Sequence, residues 1–512
     1  QRYSEGNENR DREDGRVKWH HAVATEETPA QTSSFPGLIR LSSAASRPTT
    51  GGPHFELGFY VVCGWMDKAK EIKWKFLLLF IATLIFILCY TMRTPRTYRD
   101  IPQPHGSPKT CPLRISEQTI TPLNNTKHLL VSAYMDQREK GLDIRIIGIF
   151  KRDSIQPLYC LFCCAGQLSS KTTPATILQH SDNFGFPFVT TDVMCQIPQN
   201  CMATHVSLLT QPDSKMVYNQ NWLPIRNQKT NEKEEKKLQF DFTVCISNLF
   251  GDYNNVLQFA QTLEMYRLLG VDRVVIYNTS CGPDLDRLLQ SYSQEGFVEM
   301  VPWPIDHHLK PSRGWLFSES GGDLHYFGQL TTLNECIYRS MDRSRYVLLK
   351  DIDEIIMPYQ HNNLMSLMDM LQQQHPNTGV YLIENHIFPK KHFEPSGRFH
   401  LPQWNGVPGI NILEHIYREE PNRNIYHPHK MIVKPSSVGW TSVHEVPKYY
   451  GEQFKVPPDI CRIVHVRVAL QGSLTVEQLH EDKRLWDFQE KLIPNVDKVL
   501  RRVALLSSEG HR

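Results

Sequence analysis

The spacing of hydrophobic positions changes along the chain. From Leu129 to Tyr218 they come in short runs, "LLVSAY", "DIRIIGIF", "PLYCLFC" and "HVSLL", separated by turn residues, which predicts a small β-rich module. From Phe240 onward strands alternate with helices. "FDFTVCIS" reads as a strand. "NNVLQFAQTLEMYRLLG" sets Val256, Leu257, Ala260, Leu263, Tyr266 and Leu268 near helical spacing and stops at Gly270. "VDRVVIYN" is a second strand, "PDLDRLLQSYSQEG" a second helix with Pro283 early and Gly296 past its end, and "FVEMVPW" a third strand. Short connections between these elements predict an α/β domain with parallel strands. A further helix, "GQLTTLNECIYRSMDR", leads into "RYVLLKDIDEII". Asp351, Asp353 and Glu354 therefore stand at the C-terminal end of a strand, the edge at which open α/β sheets bind ligands.

The segment before Leu129 follows different rules. Residue 1 is Gln and the first Met is Met66; residues 1–65 are polar and unpatterned, expected as a disordered tail or upstream read-through. Phe76 to Met92 is 17 residues without a charge, about 26 Å as a helix, enough for a thin bilayer. Lysines 68, 70, 73 and 75 precede it and Arg93, Arg96 and Arg99 follow, so charge barely orients it. No A-x-A-like cleavage site follows Met92, which favours a retained anchor over a cleaved signal peptide. Five prolines between 93 and 112 read as an extended stem, and the charged run "RNQKTNEKEEKKLQ" as a linker. The expected boundaries are 1–65 tail, 66–75 cytosolic, 76–92 transmembrane, 93–128 stem, 129–225 β-rich module, 226–239 linker, 240–500 α/β domain and 501–512 tail.

Composition narrows the function classes. The 512 residues carry a formal net charge of only +2, which argues against nucleic acid as a partner. Of twelve cysteines, ten follow the apolar segment, an even number that fits disulfides. Cys160, Cys163 and Cys164 with Cys195 and Cys201 are alternative zinc ligands, but the flanking glycines and turn residues of a zinc knuckle are missing, so disulfides are expected. Sequons at Asn124 and Asn278 are candidate glycosylation sites. These features together predict a single-pass protein with a lumenal body. No G-x-G-x-x-G follows the first strand, and neither a P-loop nor G-x-S-x-G occurs, which argues against dinucleotide-binding, P-loop and α/β-hydrolase chemistry.

The acids carry the chemistry. On an extended segment Asp351 and Asp353 point to one side and Ile352 to the other. Two carboxylates so placed repel. A divalent cation removes the conflict; oxygen ligands suit Mn²⁺ or Mg²⁺, which complete their shells with water and substrate phosphates. Such a cation grips a nucleotide diphosphate while the sugar departs. His444 is the expected third ligand because it follows a Gly/Trp/Thr/Ser turn, with His465 as the alternative. Glu384, ending an apolar strand at the same edge, is the candidate general base, ahead of Glu414 and Glu445. Glu354, pointing away from Asp353 on an extended chain, is expected to support the site from behind through hydrogen bonds.

The ordered runs "FGDYNNVLQFAQTLEMYRLLGVDRVVIYN", "VEMVPWP", "GQLTTLNECIYR", "RYVLLKDIDEIIMP" and "HPHKMIVKPSSVGWTSVHEV" resemble glycosyltransferase family 92 between about Phe240 and Trp486. The resemblance implies a GT-A-type catalytic domain over 240–500, with a mixed sheet and flanking helices, in a type II Golgi membrane protein. It implies galactose transfer from UDP-galactose, with inversion, onto a glycan of a glycoprotein or glycolipid. The family's D-x-D falls on Asp351 and Asp353, its following acid on Glu354, and its C-terminal histidines on His444 and His465. Gln329, Asn334 and Cys336 occupy family-like positions on the preceding helix; Cys336 is a disulfide candidate with Cys281 as partner. Glu335 replaces the Asp of many members. The expected partners are the glycan acceptor and the membrane, with a homodimer left open. A glycan-binding or scaffold protein with a decayed site is the competing reading, against which the intact D-x-D argues. A metal-dependent phosphotransferase or nuclease is a third, and it lacks a second acidic cluster.

Overall fold

The computed structural model describes residues 110–111, 114–212, 220–228, 238–422 and 429–506, together with Ile81 and Thr83. The chain divides into two compact units, 26–107 and the remainder. In the first only Ile81 and Thr83 are described, both in helical backbone, so the expected anchor, its cytosolic flank and most of the stem lie outside the described residues. No helix among the described residues is long and apolar enough to cross a membrane.

The β-rich module is built on strands β1 (Leu129–Met135), β2 (Ile144–Lys151), β3 (Tyr159–Cys164), β4 (Phe188–Cys195), β5 (Ala203–Leu209) and β6 (Asn221–Arg226). They lie in the order β3-β5-β6-β1-β2-β4, antiparallel except for β6 beside β1. Two short strands, Arg114–Ile115 and Thr121–Pro122, join the same sheet. Residues expected as stem thus belong to the module from about 114 onward.

In the α/β domain the predicted alternation appears as β7 (Phe240–Leu249), α1 (Val256–Leu268), β8 (Arg273–Asn278), α2 (Pro283–Gln294) and β9 (Val298–Pro302). Gly270 and Gly296 adopt left-handed φ angles of 92° and 76° just past the two helices, where a side chain would be strained. Next come α3 (Gln329–Ser340), β10 (Ser344–Lys350), β11 (Glu354–Pro358), α4 (Leu364–Gln374), β12 (Thr378–Pro389), β13 (His429–Val433), β14 (Cys461–Arg467) and α5 (Gln489–Arg502). The main sheet runs β9-β8-β7-β10-β13-β12-β14-β11. The first four strands are parallel; β13 enters antiparallel, so the sheet is mixed.

Only three residues separate β10 from β11, yet β13, β12 and β14 lie between them in the sheet. Four strand spacings across a flat sheet amount to about 19 Å. Four Cα steps cover at most about 14 Å. The sheet must therefore curl back on itself, and the curl closes at the D-x-D.

One face of the sheet packs on α1, α2, α4 and α5. The other packs on α3, all of whose residues except Arg339 are buried between the sheet and the module. Polar side chains of α3 find their partners in the module: Thr331 with Thr190 at 2.8 Å, Glu335 with the Tyr134 hydroxyl at 2.6 Å, and Tyr338 with Asp136 at 3.2 Å. Glu335 also accepts from the Tyr277 hydroxyl and twice from Arg339 at 2.9 Å. Burial alone would raise its pKa; these donors outweigh that and hold it at about 2.

Four disulfides form among the described residues: Cys111–Cys163, Cys160–Cys195, Cys164–Cys201 and Cys245–Cys336. The alternative zinc set is used up in the first three. The expected Cys281–Cys336 bridge is not made. Cys336 faces β7, where Cys245 meets it, while Cys281 beyond the end of β8 remains a free thiol, as does the buried Cys461. The cysteines are thus not all paired.

Candidate functional site

The D-x-D is not extended. Lys350 ends β10, Ile352 and Asp353 form a turn, and Glu354 begins β11. The alternation argument for Asp351 and Asp353 does not apply in a turn, and each carboxylate acquires its own partner. Asp351, 35% exposed, is held by Lys430 Nζ at 2.8 Å and by the Gln329 amide at 2.9 Å. Asp353, 29% exposed, lies with its Oδ2 3.1 Å from His465 Nε2. Glu354 is 1% exposed. It accepts from the Asp351 backbone N–H at 2.8 Å and from the Asn385 amide at 3.1 Å, and lies 3.5 Å from His465 Nδ1.

Sheet register explains why His465 is there. On β14 it pairs directly with Glu354 of β11, which sets it beside the preceding residue's carboxylate. His444 lies elsewhere, half-buried, with Nδ1 3.2 Å from the His429 carbonyl and its ring stacked on Trp315 at 5.5 Å. It lies near enough to Asp351 for its protonated form to favour the ionised carboxylate. Glu384 is buried on β12, 3.3 Å from His386 Nε2 and 3.7 Å from Lys455 Nζ. Neighbours on a strand point to opposite faces, so Glu384 points away from the face on which Asn385 meets Glu354.

Burial pushes all three carboxylates up in pKa, and their partners then separate them. Lys430 outweighs burial at Asp351. His465 and Arg467 outweigh it at Asp353, which is held far below the ordinary range. At Glu354 burial prevails, reinforced by the two aspartates, and its pKa is raised. Lys350, buried with its Nζ donating to the Glu354 carbonyl at 2.7 Å, is pushed down by burial to about 7. Two buried lysines therefore share with any cation the task of compensating the acids.

Among the described residues no group of three or more His, Cys, Asp or Glu side chains is arranged to hold a metal ion. Two donors do fit one. Adjacent ligands about 2.1 Å from an octahedral cation stand about 3.0 Å apart, against 3.1 Å between Asp353 Oδ2 and His465 Nε2. That Nε2 is buried and makes no well-directed hydrogen bond. Asn385 Oδ1 is also buried without a partner. Rotating this amide would turn its oxygen to His465 Nδ1, fix the proton there and leave the Nε2 lone pair outward. Water and substrate phosphates would complete such a shell.

The loop carrying His444 is held from the module. Arg138 donates to the carbonyls of Ser436 at 2.9 Å and Val438 at 2.7 Å, Tyr338 donates to that of Gly439 at 2.8 Å, and Trp440 stacks on His180 at 4.5 Å. Asn334 clamps Thr441 through both its N–H and its carbonyl, at 2.9 and 2.8 Å. Gln329, Asn334 and Cys336 thus act respectively on Asp351, on this loop and on the Cys245 bridge. Lys430, Asn385, Arg467 and Trp315 were not singled out from the sequence; a lysine in the apolar run "KMIV" was the available signal for Lys430. Of the two sequons, Asn124 lies half-exposed in a turn, whereas Asn278 ends β8 with its amide oxygen buried.

His325, beside this site, is 3% exposed with neither ring nitrogen hydrogen-bonded. Burial pushes its pKa down to about 3, opposed in part by Asp351. An unfolded histidine titrates near pH 6.5. Between pH 6.5 and 3 the unfolded chain therefore binds a proton that the native one does not, and stability falls as pH falls through that window, by about 2 kcal/mol at pH 5. His325→Phe is expected to remove this component. Urea unfolding at pH 7 and pH 5 should show a smaller acid loss in the variant than in the wild type.

Residues 240–503 match the family model described as Glycosyltransferase family 92. Two curated relatives are from Caenorhabditis elegans. Glycosyltransferase family 92 protein F13G3.3 is 23% identical over 47% of this chain and 45% of its own length. Beta-1,4-galactosyltransferase galt-1 is 22% identical over 44% of this chain and 50% of its own. The chain thus spans about half the length of the curated relatives it matches. Among solved structures, the mannosyltransferase PcManGT from Pyrobaculum calidifontis in complex with GDP-Man and Mn²⁺ aligns over 54% of this chain and 80% of that one. Its identity is 11% and its TM-score 0.23, too low for a shared fold to be read from it.

Proposed function

The chain belongs to glycosyltransferase family 92, and on that premise we propose that it is a hexosyltransferase taking a UDP-sugar, with galactose the first candidate, to a glycan acceptor. The observation that carries this reading is the pairing of Asp353 with His465 at the point where the sheet curls closed. Asp353 and His465 would hold Mn²⁺ or Mg²⁺, whose chemistry is to neutralise the oxygens of a diphosphate. The rotated Asn385 amide oxygen would accept the His465 Nδ1 proton and orient the ring, the kind of support common behind metal ligands, while Glu354 holds the Asp351 backbone N–H. Arg467, two residues beyond His465 on the same strand, adds a fixed positive charge near Asp353.

In the transfer step the acceptor hydroxyl oxygen bonds to the anomeric carbon as the bond from that carbon to the diphosphate breaks. The electron pair leaves on the diphosphate, and the configuration inverts. The hydroxyl proton goes to His444 rather than Glu384. A carbonyl only accepts, so the contact with the His429 carbonyl places the neutral imidazole's proton on Nδ1 and the lone pair on Nε2. The Asp351 charge then stabilises the imidazolium that forms. A type II protein with its body in the Golgi lumen, anchored by residues 76–92, suits this function and the four disulfides.

The purified full chain, given a panel of UDP-hexoses and glycan acceptors, is expected to release UDP and extend an acceptor with Mn²⁺ and to stop in EDTA. The Lys430–Asp351 pair favours a second reading, a transferase needing no cation, for which EDTA leaves turnover intact. No turnover of any nucleotide sugar would overturn both and leave a glycan-binding or scaffold protein.

A further inference from the structure

An aromatic wall stands beside Asp351, and the transfer step uses only its His444. Trp315 is its centre. Its ring stacks on His444 at 5.5 Å and 28°, lies 6.0 Å from Tyr326, and meets His325 edge-on at 4.8 Å. Phe184 of the β-rich module closes the wall at 4.8 Å from Trp315. Trp315 and Tyr326 are half-exposed, whereas His325 behind them is buried and neutral at working pH. Two members of the wall, His444 and His325, lie near enough to Asp351 to interact with its charge.

The backbone under the wall is strained in a way that ordinary packing does not require. Tyr326 and Phe327 have φ angles of 36° and 52°, followed by Gly328 at 83°. A left-handed aromatic residue costs on the order of 1–3 kcal/mol and persists only where its surroundings enforce it. Here they do: Asn248 donates to the Tyr326 carbonyl at 2.8 Å and Trp303 to that of Phe327 at 2.7 Å. Gly328 follows at a left-handed φ of 83°, where a side chain would be strained and its Cβ would press on Leu324 at 3.2 Å and Trp303 at 3.3 Å. Such strain clusters at ligand sites, and here it fixes where the Tyr326 ring stands.

We propose that Trp315 and Tyr326 form a platform on which a pyranose ring of the acceptor glycan stacks, so that its hydroxyl meets His444. The C–H face of a sugar is apolar and slightly positive, and an aromatic face is slightly negative. The platform suits the acceptor rather than the nucleobase because it adjoins the proton acceptor, whereas the diphosphate would be drawn to Arg467 and to the cation that Asp353 and His465 would hold. Phe184 lies outside the residues that the family model matches, so part of the wall belongs to this chain's own N-terminal module.

This inference rests on the transferase reading of the same site, and one set of variants separates the two. In the full chain, Trp315→Ala is expected to raise the acceptor KM about tenfold or more and to move the UDP-sugar KM by less than twofold; Trp315→Phe should keep most of the acceptor affinity. An equal rise in the UDP-sugar KM, or an unchanged acceptor KM, overturns the platform. Should Trp315→Ala lose its cooperative melt, the same KM comparison on Tyr326→Leu decides. If the wild type turns over no donor, the transferase reading fails on its own. Glycan retention by immobilised wild type but not by Trp315→Ala would then still uphold the platform, and equal retention would overturn it.

Discussion

Asp353→Asn is expected to lower sugar transfer by about 10³-fold or more while leaving a cooperative thermal transition that is only modestly lowered. The two halves have one cause. Three acids stand within four residues, and Lys430 reaches two of them, Asp351 at 2.8 Å and Glu354 at 3.9 Å, but not Asp353. Asp353 faces His465 Nε2 at 3.1 Å and, in the proposed reaction, would share a cation with it. Replacing its carboxylate with an amide of the same shape gives up the modest stability that the ionised carboxylate contributes and removes the charge on which diphosphate binding depends. Initial rates with saturating donor, set beside a melting curve, read both effects. A variant that loses activity by unfolding would show no cooperative transition above the assay temperature.

The largest loss of stability is expected for Arg145→Met, about 3–5 kcal/mol. Arg145 is 1% exposed and bridges two carboxylates of the module, Asp136 at 2.8 Å and Asp192. Methionine fills much of the space but leaves both acids buried without their shared cation. Burial pushes Asp136 and Asp192 up, and the arginines around them outweigh it, so both titrate below the ordinary carboxylate range. Stability from this network is in force at neutral pH and is lost as pH falls below about 4. Asp136 also fixes Arg138 at 2.7 Å, and Arg138 holds the backbone of the loop leading to His444. Denaturant midpoints should therefore fall in Arg145→Met, and kcat should fall in the fraction that remains folded. An Arg145→Met protein as stable as wild type would mean that the module does not brace the α/β domain.

Local features of the fold were legible in the sequence and long-range ones were not. Helical spacing from Val256 to Leu268, with Gly270 after it, marks α1 within two residues of its ends. Strand–helix alternation likewise orders the first half of the sheet. These signals depend on neighbours in the chain. The turn at Ile352–Asp353 depends instead on β11 joining the far end of the curled sheet, which no short run of residues reveals. The same register decides between two histidines that look alike as text: His465 pairs with Glu354, and His444 does not. Cys245 sits in an apolar strand with no mark of its partner, so its bridge to Cys336 emerges only once α3 packs on β7. Lys430 is the plainest case. The question the sequence posed, what compensates three acids, has part of its answer in a lysine 79 positions away from Asp351.

The central claim is that Asp353 and His465 together bind a cation–diphosphate, and calorimetric titration of UDP into the full chain tests it without any turnover. UDP is expected to bind in the presence of Mn²⁺, to lose about tenfold or more in affinity in EDTA, and to lose as much in Asp353→Asn and His465→Asn with Mn²⁺ present. UDP binding that is equally tight in EDTA and in both variants would contradict it.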